Sequence, residues 1–210
     1  MQQLKVPIYT QEKANTCGLA ALRMILGYFG DNVSETELNK NIKLHSFGTF
    51  TTEIGLIPIK RGYRVTIEIF HLGIFGPLAL PFRTVITSNI ISNIKPNPRD
   101  KWTYESIKSF LKAGGLMIYN PPTIQIIENI LKSKKPMLVN INTATLGKYK
   151  NVWSNGHFVV IQGFDSKNFT VLDPGRFVQK QSYEIDKNEL VLASTINCAW
   201  SSGYLMSFSK

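Results

Sequence analysis

The sequence has few cysteines and no long hydrophobic run, and each shortage excludes a class of protein. Two cysteines in 210 residues are too few for a disulfide scaffold, although Cys17 and Cys198 allow a single bridge. The longest apolar run, residues 72–81, contains two glycines and two prolines and is too short to span a bilayer. The first thirty residues contain no signal-peptide core. We therefore expect a cytoplasmic protein, or one exported by a route without an N-terminal signal peptide.

Histidines are also few, and the three present do not have the spacing of metal ligands. Neither a C-x-x-C pair nor an H-x-x-x-H pair occurs, so a zinc site is not expected. The glycines at 73 and 76 lack the lysine and hydroxyl residue of a phosphate-binding loop. The sequence therefore predicts neither a bound metal nor a cofactor.

Acidic residues are scarce relative to basic ones, 14 against 24, which gives a net charge of +10. The basic clusters at 60–64, 132–135 and 148–150 are short and spread along the chain. No recognised nucleic-acid-binding motif accompanies them, so a nucleic-acid partner is not predicted. Lysines scattered over a solvated surface explain the charge, and an acidic protein partner fits it at least as well as nucleic acid.

The order of sequence patterns predicts one α+β domain over residues 1–210. With 43% hydrophobic and 18% charged residues, the chain can bury one sizeable core. Helical spacing dominates the first half, beginning with a helix from Cys17 to about Phe29, and strand patterns dominate the end. Three details can be checked: Pro58 stops or kinks a helix, residues 73–82 form a loop, and residues 176–185 add a strand.

Residues 11–30 place Cys17 at the start of an apolar helix. The first N–H groups of a helix have no internal partner, and the helix dipole puts partial positive charge there. A thiol at this position loses its proton more easily, and the thiolate is the nucleophile. Gln11 offers a side-chain amide that, with the N–H of Cys17, can hold the oxyanion of a tetrahedral intermediate. The pattern therefore predicts half of an acyl-transfer site.

The other half is predicted near the end of the chain. His157 begins a buried strand, and Asp173 ends the next one in Val-Leu-Asp-Pro-Gly. A hairpin with an odd-numbered tight loop places both on one face of the sheet, whereas a one-residue slip separates them. The imidazole has to contact both thiol and carboxylate, because the carboxylate fixes the tautomer and stabilises the imidazolium. We further predict that Tyr149, Trp153 and Asn155, just before the histidine, line the substrate cleft, although packing is an equal explanation for them.

This set of residues resembles the papain-like cysteine peptidases. It is most similar to the bacterial branch that cleaves the double-glycine leader peptides of bacteriocins, in its stand-alone form. The resemblance covers residues 6–30 and 156–175. It implies a papain-like α+β fold, with N-terminal helices packed on an antiparallel sheet, and no cofactor. It also implies that Cys17 is the nucleophile, His157 the base and then the acid, Asp173 the orienting residue, and Gln11 part of the oxyanion hole.

The hypothesis from the sequence is therefore a cysteine peptidase that acts on a peptide or protein. Three alternatives share the same residues. The acyl group can be passed to an amine, which makes the protein an acyltransferase or transamidase. The protein can be a secreted toxin or effector that cleaves a host protein. It can also be a non-catalytic module that binds an extended peptide.

Overall fold

The structure is a computed structural model that describes residues 2–40, 42, 44–46, 48–146, 149, 156–198 and 201–210. Within these residues the helices are α1 (Cys17–Tyr28), α2 (Glu35–Asn39), α3 (Thr51–Lys60), α4 (Leu72–Phe75), α5 (Ser88–Ser92), α6 (Lys101–Lys112), α7 (Ile124–Lys132) and α8 (Lys187–Asn197). The strands are β1 (Gln2–Gln3), β2 (Arg64–Ile69), β3 (Thr84–Val85), β4 (Leu116–Tyr119), β5 (Met137–Ile141), β6 (His157–Phe164), β7 (Asn168–Leu172), β8 (Ser182–Asp186) and β9 (Leu205–Ser209).

The strands form one sheet in the order β3-β4-β2-β9-β5-β6-β7-β8, and β1 pairs with β6. Neighbouring strands are antiparallel, except that β2 and β4 are parallel. The predicted α+β fold, with helices packed on a mainly antiparallel sheet, is therefore confirmed. None of the helices described is long and apolar enough to cross a membrane.

The sheet has a hydrophobic cluster on each face, and β6 contributes to both because its side chains alternate. Phe158 and Val160 belong to the cluster beneath α1, α3 and α6. Val159 and Ile161 belong to the cluster beneath α7 and α8. The predicted site therefore begins a strand that is covered on both faces.

Helix α1 is buried over most of its surface, in agreement with its largely apolar sequence. Leu19, Leu22 and Ile25 have no exposed surface, and α1 packs against β6. Gly30, at a φ of 80°, follows the helix in the left-handed conformation that glycine adopts most readily. Gly18 allows the first turn of α1 to lie against α3, since a Cβ there would be 2.4 Å from Ile54 Cδ1.

Three local predictions from the sequence are wrong. The predicted stop at Pro58 does not occur, because helix α3 continues through the buried Pro58 to Lys60. Residues 73–82 are not all loop, because His71 accepts a hydrogen bond from the N–H of Ile74 and caps the short helix α4. Residues 176–181 are not strand, since β8 begins at Ser182.

The close approach of α1 to α3 gives a prediction for Gly18→Ala. The added methyl collides with Ile54 Cδ1, so we expect the free energy of unfolding to fall by about 1–3 kcal/mol in urea titrations. Ile54→Val removes Cδ1 and alone costs about 0.5–1.5 kcal/mol. The double variant should therefore be more stable than the sum of the two losses predicts. Simple additivity would show that this contact does not limit the packing.

Candidate active site

Cys17 is the first residue of α1 and follows Thr16. Cys17 is half-buried and is not part of a disulfide bond. Burial by itself would raise the pKa of Cys17, but the hydrogen bond and charge of His157, with the backbone N–H groups of Phe158 and Gly18, lower it. These are the surroundings that favour a thiolate. Cys198 is also free, so the two cysteines form no bridge.

His157 begins β6 and lies between the thiol and the carboxylate. The residue is 2% exposed, and its Nε2 is 2.7 Å from Oδ1 of Asp173. The ring also interacts with the thiol of Cys17. Burial by itself would lower the pKa of His157, but the hydrogen bonds and charges of Asp173 and Cys17 raise it. The raised pKa of His157 and the lowered pKa of Cys17 together favour a thiolate–imidazolium pair.

A β-bulge brings Asp173 to the same face of the sheet as His157. Next to the turn, Phe164 pairs with Phe169 across residues 165–168, an even-numbered loop. That register, if continued, would turn Asp173 away from His157. The pairing shifts by one residue between Ile161 and Gly163, so that Val160 pairs with Leu172. The shift restores the common face that the sequence analysis expected from an odd-numbered loop.

The Asp173 carboxylate is fully buried and has several donors. Its Oδ1 accepts the N–H of Gly175 at 2.7 Å, in addition to His157. Its Oδ2 accepts the hydroxyl of Tyr183 at 2.9 Å and that of Tyr149. Burial by itself would raise the pKa of Asp173, but the hydrogen bonds from His157, Tyr149 and Gly175 lower it. Asp173 is therefore a stable anion without contact with water.

Gln11 lies in the segment that leads to Cys17 and is 2% exposed. Its backbone N–H donates to the carbonyl of Pro174 at 2.8 Å, directly after Asp173. The side-chain Nε2 donates to the carbonyls of Lys13 and Ala14, at 2.7 and 2.9 Å. Its Oε1 is buried and has no partner among the described residues. Both amide hydrogens are therefore engaged by the loop before the nucleophile.

Two further side chains hold this loop. Arg176 donates from Nε to the carbonyl of Gln11 at 2.8 Å and from its guanidinium to the carbonyl of Glu12. The buried carboxylate of Glu35 accepts the backbone N–H of Glu12 at 3.1 and 3.2 Å. Burial raises the pKa of Glu35. The segment before Cys17 is therefore fixed from both α2 and the turn after β7.

The structure brings Cys17, His157 and Asp173 together, with Gln11 beside them. Of the residues expected to line the cleft, Trp153 and Asn155 lie outside the described residues. Tyr149 is 5% exposed, and its hydroxyl contacts Asp173.

Sequence reasoning missed Tyr183 and also Phe177, whose ring lies 5.5 Å from that of His157. No local pattern in the sequence marks either residue as part of the site.

An open cavity lies on the α3–α6 side of the nucleophile loop. It is lined by His45, Glu53, Leu56, Lys101, Trp102, Glu105, Ser106 and Ser109. The carbonyl of His45 accepts a hydrogen bond from Asn15 at 3.0 Å, which connects the cavity wall to the loop before Cys17. No three histidine, cysteine or acidic side chains of the described chain lie close enough together to hold a metal ion.

Two family models match the chain. The Peptidase C39 family matches residues 5–82, which contain Gln11 and Cys17. The Peptidase_C39 like family matches residues 86–200, more than half of the chain, which contain His157 and Asp173. No protein of curated function matches the chain at a significant level.

Three solved structures share the fold. A double glycine motif protease from an AMS/PCAT transporter, in complex with the leader peptide, is 17% identical, with a TM-score of 0.50, over 98% of this chain and 92% of that one. A protein from Bacillus anthracis described as a C39-like peptidase is 13% identical, with a TM-score of 0.58, over 98% of this chain and 95% of that one. The peptidase domain of Streptococcus ComA, a bi-functional ABC transporter involved in a quorum sensing pathway, is 13% identical, with a TM-score of 0.52, over 100% and 98%. The likeness confirms the predicted papain-like fold.

The opposite pKa shifts of the two cysteines give a labelling prediction. The pKa of Cys17 is lowered, whereas burial raises that of Cys198 to about 12. Iodoacetamide at about pH 6 should therefore alkylate Cys17 rapidly and leave Cys198 unmodified, as read by peptide mass spectrometry. In His157→Ala the rate at Cys17 should fall to that of an ordinary thiol. A wild-type Cys17 that titrates near 8.5 would contradict the ion pair.

Proposed function

The chain belongs to the Peptidase_C39 like family and is a cysteine peptidase, and we propose that Cys17, His157 and Asp173 form its catalytic triad. The observation that supports this most strongly is the position of His157. One ring nitrogen lies 2.7 Å from Asp173, and the ring also interacts with the thiol of Cys17. This is the order of contacts that a nucleophile, a base and an orienting carboxylate require.

The proposed reaction has two steps. The Cys17 thiolate attacks the carbonyl carbon of the scissile peptide bond and forms a tetrahedral intermediate. The His157 imidazolium gives its proton to the leaving amine, the C–N bond breaks, and a thioester remains. Neutral His157 then takes a proton from water, whose oxygen attacks the thioester and releases the carboxylic product and the thiolate. Asp173 holds the ring in the required tautomer in both steps.

We propose that the N–H of Cys17 and the amide of Gln11 stabilise the oxyanion. The Cys17 N–H is one of the donors at the start of α1 that the helix itself cannot satisfy. The Gln11 amide lies in the same segment but donates to Lys13 and Ala14. To reach the oxyanion, the amide has to break its hydrogen bond with one of these carbonyls. Stabilisation of the oxyanion and support of the loop are therefore distinct roles for Gln11, which an experiment can separate.

A peptide or protein is the proposed substrate. The double glycine motif protease that shares the fold was solved in complex with a leader peptide, and a leader-type peptide is therefore the first substrate class to test. The net charge of +10 favours acidic segments in the substrate or in a protein partner.

Cys17→Ala tests the triad. Turnover should be lost because no other residue can form the thioester, whereas the circular dichroism spectrum and melting temperature should stay close to those of the wild type. The measurement is mass-spectrometric mapping of cuts in a peptide library enriched in Gly-Gly sequences. Cys198→Ala is the matched control and should cleave at the wild-type rate. Cleavage by Cys17→Ala at an unchanged rate would refute the mechanism.

Gln11→Ala separates oxyanion stabilisation from support of the loop. Alkylation by iodoacetamide forms no oxyanion, whereas peptide hydrolysis does. If Gln11 serves the oxyanion, hydrolysis should fall by about 10²-fold or more while the alkylation rate of Cys17 stays constant. An equal fall in both rates would show that Gln11 acts only by holding residues 13 and 14.

A further inference from the structure

Two phenols, that of buried Tyr149 and that of half-buried Tyr183, surround the outer oxygen of the proposed catalytic carboxylate. Oδ2 of Asp173 accepts hydrogen bonds from the hydroxyls of Tyr149 and Tyr183, and the two hydroxyls are 2.6 Å apart. Tyr183 is on β8, opposite Val171 of β7. Tyr149 comes from the segment before His157, so the two phenols reach Asp173 from different parts of the fold.

Both phenols keep their protons. Burial raises the pKa of each, and the charge of Asp173 raises both further. Tyr183 also raises the pKa of Tyr149, whereas the hydrogen bond with Tyr149 lowers that of Tyr183 without outweighing burial. The two hydroxyls therefore supply two protons. These are shared among three close contacts, namely those of Oδ2 with each phenol oxygen and the contact between the two phenol oxygens. In every arrangement of these protons at least one phenol donates directly to Oδ2, and the other donates to Oδ2 or to its neighbour.

We propose that Tyr149 and Tyr183 are positioning residues of the triad, whose hydroxyls keep Asp173 ionised and hold Oδ1 towards His157. This inference rests on the proposed catalytic roles of Cys17, His157 and Asp173. It also replaces substrate binding, the role expected for Tyr149 from the sequence.

The burial of Asp173 makes these donors necessary. The side chain has no exposed surface, so water cannot solvate the carboxylate, and a buried charge without donors is costly. Oδ1 is satisfied by His157 and the N–H of Gly175. The partners described for Oδ2 are the two phenols. Without them the carboxylate can turn or take up a proton, and either change weakens the support of the imidazolium.

The ring of Tyr149 has a separate packing role, which allows the hydroxyl to be tested alone. It lies edge-on to the ring of His157 at 5.9 Å and against Phe177 at 6.0 Å. Replacing tyrosine with phenylalanine keeps these contacts and removes only the donor. The titratable groups that face Asp173 are His157 on β6, Tyr183 on β8 and Tyr149, with Cys17 of α1 on the far side of the imidazole.

Loss of either hydroxyl is expected to change the pKa of Cys17 through its effect on His157. A loosened or protonated Asp173 supports the imidazolium less well, and the thiolate loses part of its counter-charge. The apparent pKa of Cys17, now lowered, should therefore rise towards that of a free thiol. We expect an upward shift of about one pH unit for Tyr183→Phe and a larger one for the double variant with Tyr149→Phe.

The experiment is the pH dependence of Cys17 alkylation by iodoacetamide, with the acid limb of kcat/KM followed in parallel. Tyr104→Phe is the matched control, because Tyr104 is also buried and its hydroxyl also donates one bond, to the carbonyl of Ile91 at 3.0 Å. It should leave the pKa of Cys17 unchanged. Asp173→Asn gives the shift of the Cys17 pKa that is expected when the negative charge of Asp173 is lost. Tyr183 is on the outer strand and only half-buried, so Tyr183→Phe is the variant of lowest folding risk.

The outcomes are distinct. A raised Cys17 pKa in the tyrosine variants, with unchanged melting temperatures, supports the inference. If the rates fall but the pKa of Cys17 stays at the wild-type value, the positioning role is overturned, whereas the proposed triad is unaffected. A wild-type Cys17 with an ordinary thiol pKa overturns the triad and, with it, the positioning role.

Discussion

The hydrogen bond between His157 and Asp173 is the interaction on which the rest of the site depends. It is 2.7 Å long and shielded from water, since the two residues are 2% and 0% exposed. In such surroundings a charge is stable only if other charges or donors compensate it. The Asp173 anion compensates the imidazolium, the imidazolium lowers the pKa of Cys17, and donors around Asp173 stabilise the anion itself. The low pKa of the Cys17 thiol therefore depends on Asp173 and its donors, which act on the sulfur only through His157.

The contrast between the two cysteines shows how much the surroundings decide. Cys198 is buried and hydrogen-bonded to the carbonyl of Ser194 at 3.2 Å, an acceptor that favours the thiol, and burial raises its pKa. Burial acts in the same direction on Cys17 but is outweighed by His157 and by two backbone N–H groups. One chain thus contains an inert and an activated thiol, and the difference is the charge and donor geometry at each sulfur.

The parts of the site predicted from the sequence are those with local signals. Cys17 follows a helix-start pattern, and His157 and Asp173 mark the ends of two apolar strands, so their roles could be inferred before any contact was known. It could not be inferred from the sequence whether His157 and Asp173 would meet. The even-numbered hairpin loop places them on opposite faces, and the bulge near Gln162 returns them to one face. Tyr183 depends on the same register, and no local pattern distinguishes it from an ordinary strand tyrosine. The helical capping role of His71 was missed because histidine is not among the preferred caps.

The site combines residues 140 positions apart in the chain, and backbone contacts rather than side chains alone join them. The N–H of Gln11 bonds to Pro174, Arg176 bonds to the carbonyls of Gln11 and Glu12, and the Gln181 amide bonds to Thr10. The turn that follows Asp173 is therefore attached directly to the segment that leads to Cys17. These bonds fix the position of the turn after Asp173 relative to the segment that contains Gln11. Such coupling suits a reaction in which thiolate, imidazole and oxyanion site have to be correctly placed at the same moment.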